Sequence, residues 1–84
     1  MGMSYRLRIT ADQQRVWDSL PPRAGEELTL ALARVCDDPI ATTLPYDGDE
    51  DGVLREIVLP SLVVVLLLVD ATRNLHIMQI TYLG

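Results

Sequence analysis

The chain has no lysine: its seven basic residues are all arginines, against twelve acidic ones, for a formal net charge of −5 over 84 residues. Non-specific nucleic-acid binding rests on neutralising phosphates with cations, so this balance argues against direct contact with DNA or RNA. A single cysteine, Cys36, excludes an internal disulfide and with it a disulfide-stapled secreted scaffold. One Cys and one His make no zinc-finger or ribbon ligand set, and neither a metal nor another cofactor is expected. A run of membrane-spanning length is missing too. The longest apolar stretch, 57–69, is broken by Pro60 and Ser61, is rich in valine, and falls short of the roughly 20 residues a spanning helix needs. The opening residues, Met1 to Arg6, carry no apolar signal-peptide core, so a soluble cytoplasmic protein is expected.

What is present suits one small domain over residues 1–84. At 49% hydrophobic and 23% charged, the chain has enough apolar mass to close a core. Tyr5–Thr10 alternates apolar and polar residues, the pattern of a half-buried strand. Thr10 stands three residues before Gln13 as in a capping box, and opens a helix to about Leu20 with Val16, Trp17 and Leu20 facing the core. Pro21-Pro22 stops that helix and starts a second, which runs to about Cys36 with Ala24, Leu28, Ala31, Leu32 and Val35 on one face. Asp37-Asp38-Pro39 closes the pair, and residues 40–52 read as loop. Three strands follow: Val53–Leu59, Leu62–Val69 and Leu75–Tyr82, separated by Pro60-Ser61 and by Asp70–Asn74. The fold class is α+β, a two-layer β-α-α-β-β-β arrangement with a helical hairpin on an antiparallel sheet.

This order, with several local features, resembles the RelE/ParE superfamily of toxins from type II toxin–antitoxin modules. Tyr5-Arg6-Leu7-Arg8-Ile9 is similar to the family's opening strand. Leu20-Pro21 is similar to its Leu-Pro between helices, and Asp38-Pro39 to the Asp-Pro after the second. Leu54-Arg55, Val69-Asp70 and Ile80-Thr81-Tyr82 resemble the strand motifs that follow. The resemblance implies a toxin-like protein with a cognate antitoxin as partner, or a ribosome-dependent mRNA endonuclease. The departures bear on that second activity. Where mRNA-cleaving members carry Tyr-Arg, this chain has Leu62-Val63. Where they carry a basic loop, it has Asp47-Gly48-Asp49-Glu50-Asp51, and its last strand runs out in Tyr82-Leu83-Gly84. Cleaving RNA requires cations to hold phosphates and developing charge, so a catalytically degenerate relative acting through protein contacts is the leading expectation.

Individual candidates carry two readings each. Asp47-x-Asp49-x-Asp51-Gly52 matches half of a calcium loop, but the twelfth position is Val58 and the ninth Arg55, which suits a solvated acidic loop better. Arg55 is either an anion contact or a structural partner of Glu56, Asp70 or the acid loop. Arg6 and Arg8 share one side of the first strand, as a basic strip or a blunted sheet edge. A reduced nuclease would draw on Arg55, Arg73, His76 and Tyr82, although His76 has no recognisable nucleophile arrangement around it. Cys36, at a helix C-terminus beside Asp37 and Asp38, should be a sluggish thiol. Tyr82 is a stacking group or a packing one, and Trp17 reads as core.

Leu62–Val69 is the most informative stretch. A strand with helices on one face and water on the other should alternate, yet Leu62, Val64, Leu66 and Leu68 are interleaved with Val63, Val65, Leu67 and Val69. Two helices cannot cover both faces. The second is expected to be an interface, covered by an antitoxin-like helix or by a second copy in a homodimer, and a small homodimeric structural protein without toxin activity stands as a further alternative.

Overall fold

The computed structural model describes residues 4–46 and 53–84; the calcium-loop reading of 47–52 lies outside the described residues. Local signals place most elements. Strand β1 (Arg6–Ile9) ends at Thr10, whose hydroxyl accepts from the Gln13 amide at 3.2 Å and starts helix α1 (Ala11–Asp18). The reciprocal half of the box is absent. The Gln13 side-chain oxygen instead accepts from the Ile80 amide at 3.0 Å and ties the helix to the sheet. Pro22 occupies the first position of helix α2 (Pro22–Asp37), where its missing N–H costs nothing.

The stretch from residue 40, expected as loop, contains two short elements. The Asp38 carboxylate accepts from the Ala41 amide at 3.2 Å and caps a single-turn helix, α3 (Pro39–Thr42). Strand β2 (Leu44–Pro45) follows. Both are too short for any periodicity to register. Strands β3 (Leu54–Val58), β4 (Leu62–Val69) and β5 (Asn74–Tyr82) fall where expected, with one 3-10 turn at Asp70–Thr72.

The five strands form one mixed sheet in the order β1-β5-β4-β3-β2. Strand β1 runs parallel to β5, in register Leu7 with Leu75 and Ile9 with Ile77, and the other pairs are antiparallel. The helices cover one face only. From α2, Ala24, Leu28, Leu32 and Val35 meet Ile57 of β3, Leu62, Val64, Leu66 and Leu68 of β4, and Leu75, Ile77 and Ile80 of β5. Each such aliphatic side chain, fully buried, contributes about 1.5–3 kcal/mol. Helix α1 buries nothing completely, and Trp17, expected in the core, is half-buried at its margin.

The inward set on β5 is Leu75, Ile77, Ile80, which is not a pure alternation. Val65 pairs with Gln79 but Leu66 with Ile77, so Met78 is an extra, unpaired residue in a β-bulge. The tight turn between β3 and β4 is held from the helix layer: the Glu27 carboxylate accepts from the Ser61 hydroxyl at 2.9 Å and from its amide at 3.2 Å. No helix among the described residues is long and apolar enough to cross a membrane.

Candidate functional site: the open face of the sheet

Strand register assigns every side chain to a face. Opposite the helices lie Val63, Val65, Leu67 and Val69, all half-buried, which form an apolar ridge along β4. On one flank, β3 contributes Leu54, Glu56 and Val58, and β2 contributes Leu44; Val58 and Leu44 are each 60% exposed. On the other flank are Asn74, His76, Gln79 and Thr81 of β5, then Arg6 and Arg8 of β1. Cross-strand pairing sets Arg8, His76, Leu67 and Leu54 in one row. The face thus grades from cationic through apolar to mixed.

Of the eight residues expected at the interface, Leu62, Val64, Leu66 and Leu68 are buried beneath the helices. Val63, Val65, Leu67 and Val69 alone are left for a partner. The four nuclease candidates are similarly divided. Arg55, expected on the open face, points the other way, because it shares its side of β3 with buried Ile57. It is 7% exposed, donating from Nε to the Thr43 hydroxyl at 2.8 Å and from Nη2 to the carbonyls of Thr43 and Ile40 at 3.1 and 3.4 Å. Among the described residues its partners are neutral oxygens at the end of α3, not Glu56 or Asp70. Tyr82 pairs with Leu62 and projects toward the helix side, 45% exposed.

Arg73 sits in the left-handed region at φ 56° and closes the β4–β5 turn. Its guanidinium lies 5.4 Å from the centre of the Tyr5 ring, and the Tyr5 hydroxyl donates to the Asp70 carboxylate. That hydrogen bond, with some burial and the Asp70 charge, pushes the Tyr5 phenol up from its ordinary range, while Arg73 pulls the other way. Only His76 of the four stands on the open face, and its cross-strand neighbours there are Arg8 and Leu67. General acid–base work on a phosphodiester requires such groups to converge, and these four do not. Sequence reasoning could have found the split, since Arg55 stands two residues before Ile57 and Tyr82 two after Ile80.

Away from this face, burial, with Asp37 beside it, pushes the Cys36 thiol up. Among the described residues no three His, Cys, Asp or Glu side chains gather as a metal site. The one described ion pair joins Arg15 to Asp12 on α1, so Arg6 and Arg8 are in none. A shallow groove of about 590 Å³ runs over the helices between Trp17 and Leu30, floored by Gly25.

Compared with known proteins, the chain matches no family model and no curated protein. It does match solved structures. The isolated Escherichia coli RelE toxin superposes with a TM-score of 0.81 at 19% identity, over 96% of this chain and 86% of that one. A chain of the Mycobacterium tuberculosis RelBE2 toxin–antitoxin complex gives 0.78 at 18% identity, over 94% and 98%. A chain of the intact E. coli RelBE toxin–antitoxin complex gives 0.77 at 21%, over 96% and 99%. The chain has the RelE fold.

Proposed function

We propose that this chain is the toxin-like member of a bacterial toxin–antitoxin pair, a single cytoplasmic domain acting through protein contacts on its open sheet face without cleaving a bond. The observation that carries this reading is the ridge Val63, Val65, Leu67 and Val69, aliphatic at every position on a face the chain's own helices leave uncovered. Completing the burial of four half-buried aliphatic side chains would contribute roughly 3–6 kcal/mol, by the usual value per side chain. Two structures of like fold were solved as toxin–antitoxin complexes, which supports an antitoxin-type partner.

Light scattering after size exclusion, at two concentrations, tests it. The isolated chain should self-associate at tens of micromolar, its ridge covering itself when no partner is present. Val65→Asp with Leu67→Asp should give a folded monomer. A monodisperse wild-type monomer at that concentration would overturn the reading.

One observation favours the rival nuclease: His76 shares the open face with Arg6 and Arg8. That reading requires mRNA cleavage in the presence of ribosomes, lost in His76→Ala. Growth inhibition that survives His76→Ala but not Val65→Asp supports the contact mechanism.

A further inference from the structure

Gly25 is a residue the fold does not ask for. It lies within helix α2 in ordinary helical backbone, and a Cβ added there would meet nothing within 4 Å. Glycine inside a helix lowers stability relative to alanine, so neither the backbone nor the packing of this chain explains it. Its missing side chain does leave open the floor of the groove on the outside of the helix layer. That groove, of about 590 Å³, has the volume of a ligand site. Trp17 of α1, the chain's single tryptophan, lines it half-buried, and Leu30 lines it 63% exposed. Glu26 is the only charged lining residue, and it enters no ion pair among the described residues. The cations of α2, Arg23 and Arg34, do not line the groove.

We infer that this groove docks a basic, aliphatic peptide segment of a partner protein, with an arginine or lysine set against Trp17 and Glu26 and an aliphatic side chain over Gly25. An indole and a carboxylate in one groove are complementary to a cation: the ring quadrupole attracts it and the carboxylate pairs with it. Arginine suits the site better than lysine, because its plane stacks on the ring while its N–H fork reaches a carboxylate. Leu30 and the bare helix backbone at Gly25 supply the apolar contact. The net charge of −5 draws a basic segment in as well. The groove lies on the helix layer, away from the ridge of β4. Both faces can therefore be occupied at once, and the inference does not depend on what the open face binds.

A second copy of the chain fits less well. It brings an exposed Leu30 to the groove, but with it a second Glu26 in place of a cation. A nucleic acid would set its phosphates against that same carboxylate.

A displayed library of random dodecapeptides, selected on the intact chain and counter-selected on Gly25→Leu, tests this. Gly25→Leu fills the groove from its floor with a good helix former, and circular dichroism checks that the variant is folded. The expected winners carry Arg or Lys beside Leu, Ile or Val. Their binding should change the emission of Trp17, which no other tryptophan obscures. Glu26→Arg, an exposed substitution, should weaken each winner by about tenfold or more. Gly25→Ala should weaken them too, while raising the thermal midpoint by roughly 2–8 °C. Val65→Asp should leave them unchanged. Winners without a cation, or with acids in its place, would overturn the basic partner. So would a Gly25→Ala variant that gains stability and loses no affinity, or a selection in which nothing distinguishes wild type from Gly25→Leu. Self-association abolished by Leu30→Asp but not by Val65→Asp would instead assign the groove to a second copy.

Discussion

Leu66 and Leu67 are the same residue type, adjacent on the same strand, and meet opposite environments. Leu66 is fully buried against the helix layer, whereas Leu67 lies half-buried on the open ridge. The difference shows that hydrophobicity on β4 serves two purposes, folding on one face and association on the other. The largest expected effect follows directly. Leu66→Ala should destabilise the chain by about 2–5 kcal/mol, the range for truncating a well-packed leucine. Leu67→Ala should cost less than about 1 kcal/mol in dilute solution, where nothing covers it. Urea unfolding of both variants at low concentration measures the gap. Equal losses would mean that the open face is already part of a core.

Two arginines repeat the contrast at lower stakes. Arg55 is enclosed on the helix side and organises the Thr43 hydroxyl and the carbonyls of Ile40 and Thr43 at α3. Arg8 is exposed on the other face. Removing Arg55 leaves buried acceptors without donors, so Arg55→Ala should cost about 1–3 kcal/mol. Arg55→Lys should recover little, since an ammonium cannot supply the separated Nε and Nη2 donors together. Arg8→Ala should stay within about 0.5 kcal/mol of wild type in stability, while weakening whatever binds the open face. An Arg8→Ala loss as large as that of Arg55→Ala would show that Arg8 is structural.

Chain-local chemistry explains why most of this architecture could be read in advance. Thr10 before Gln13, Pro22 at the head of α2 and Pro39 after Asp38 act within a few residues, so helix boundaries were legible. So was the surplus of apolar residues on β4. The parallel pairing of β1 with β5 was not, because it joins residues 6–9 to 74–77 and no local pattern encodes it. Facing was only partly legible. Arg55 reads as core-facing once Ile57 is taken as core, but the bulge at Met78 inverts the count on β5. His76 and Tyr82, an even number of residues apart, consequently end on opposite faces. The extra residue shows in the sequence only as the uneven spacing of Leu75, Ile77 and Ile80. The site was harder to read than the fold because it depends on which side each residue takes.

A smaller effect comes from the tie between the layers. Glu27 reaches from α2 to the hydroxyl and amide of Ser61, in a partly buried setting. Glu27→Gln keeps the shape but removes the charge and one acceptor. It should lower stability by about 1 kcal/mol, in line with one charge-assisted hydrogen bond weakened. Ser61→Ala in that background should add little, since the two groups act as one unit. Additive losses in a double-mutant cycle would show that the turn holds without the helix.

The smallest effect decides which side Arg73 serves. Its guanidinium rests on the Tyr5 ring, and the Tyr5 hydroxyl donates to Asp70. The hydrogen bond to Asp70 is the main cause of the raised Tyr5 phenol, and Arg73 opposes it. A phenol that holds its proton more tightly folded than unfolded contributes stability in full below its ordinary pKa of about 10. That contribution is lost as the pH climbs through the raised value. In a phenolate absorbance titration, one of the three tyrosines should therefore ionise above the ordinary range, and Tyr5→Phe should remove that step. Asp70→Asn should bring the step down, and Arg73→Ala should move it up, because a cation that favours the phenolate has gone. If Arg73→Ala leaves the step where it was, the guanidinium is not held at Tyr5. It would then be available to the open face, as a third arginine beside Arg6 and Arg8.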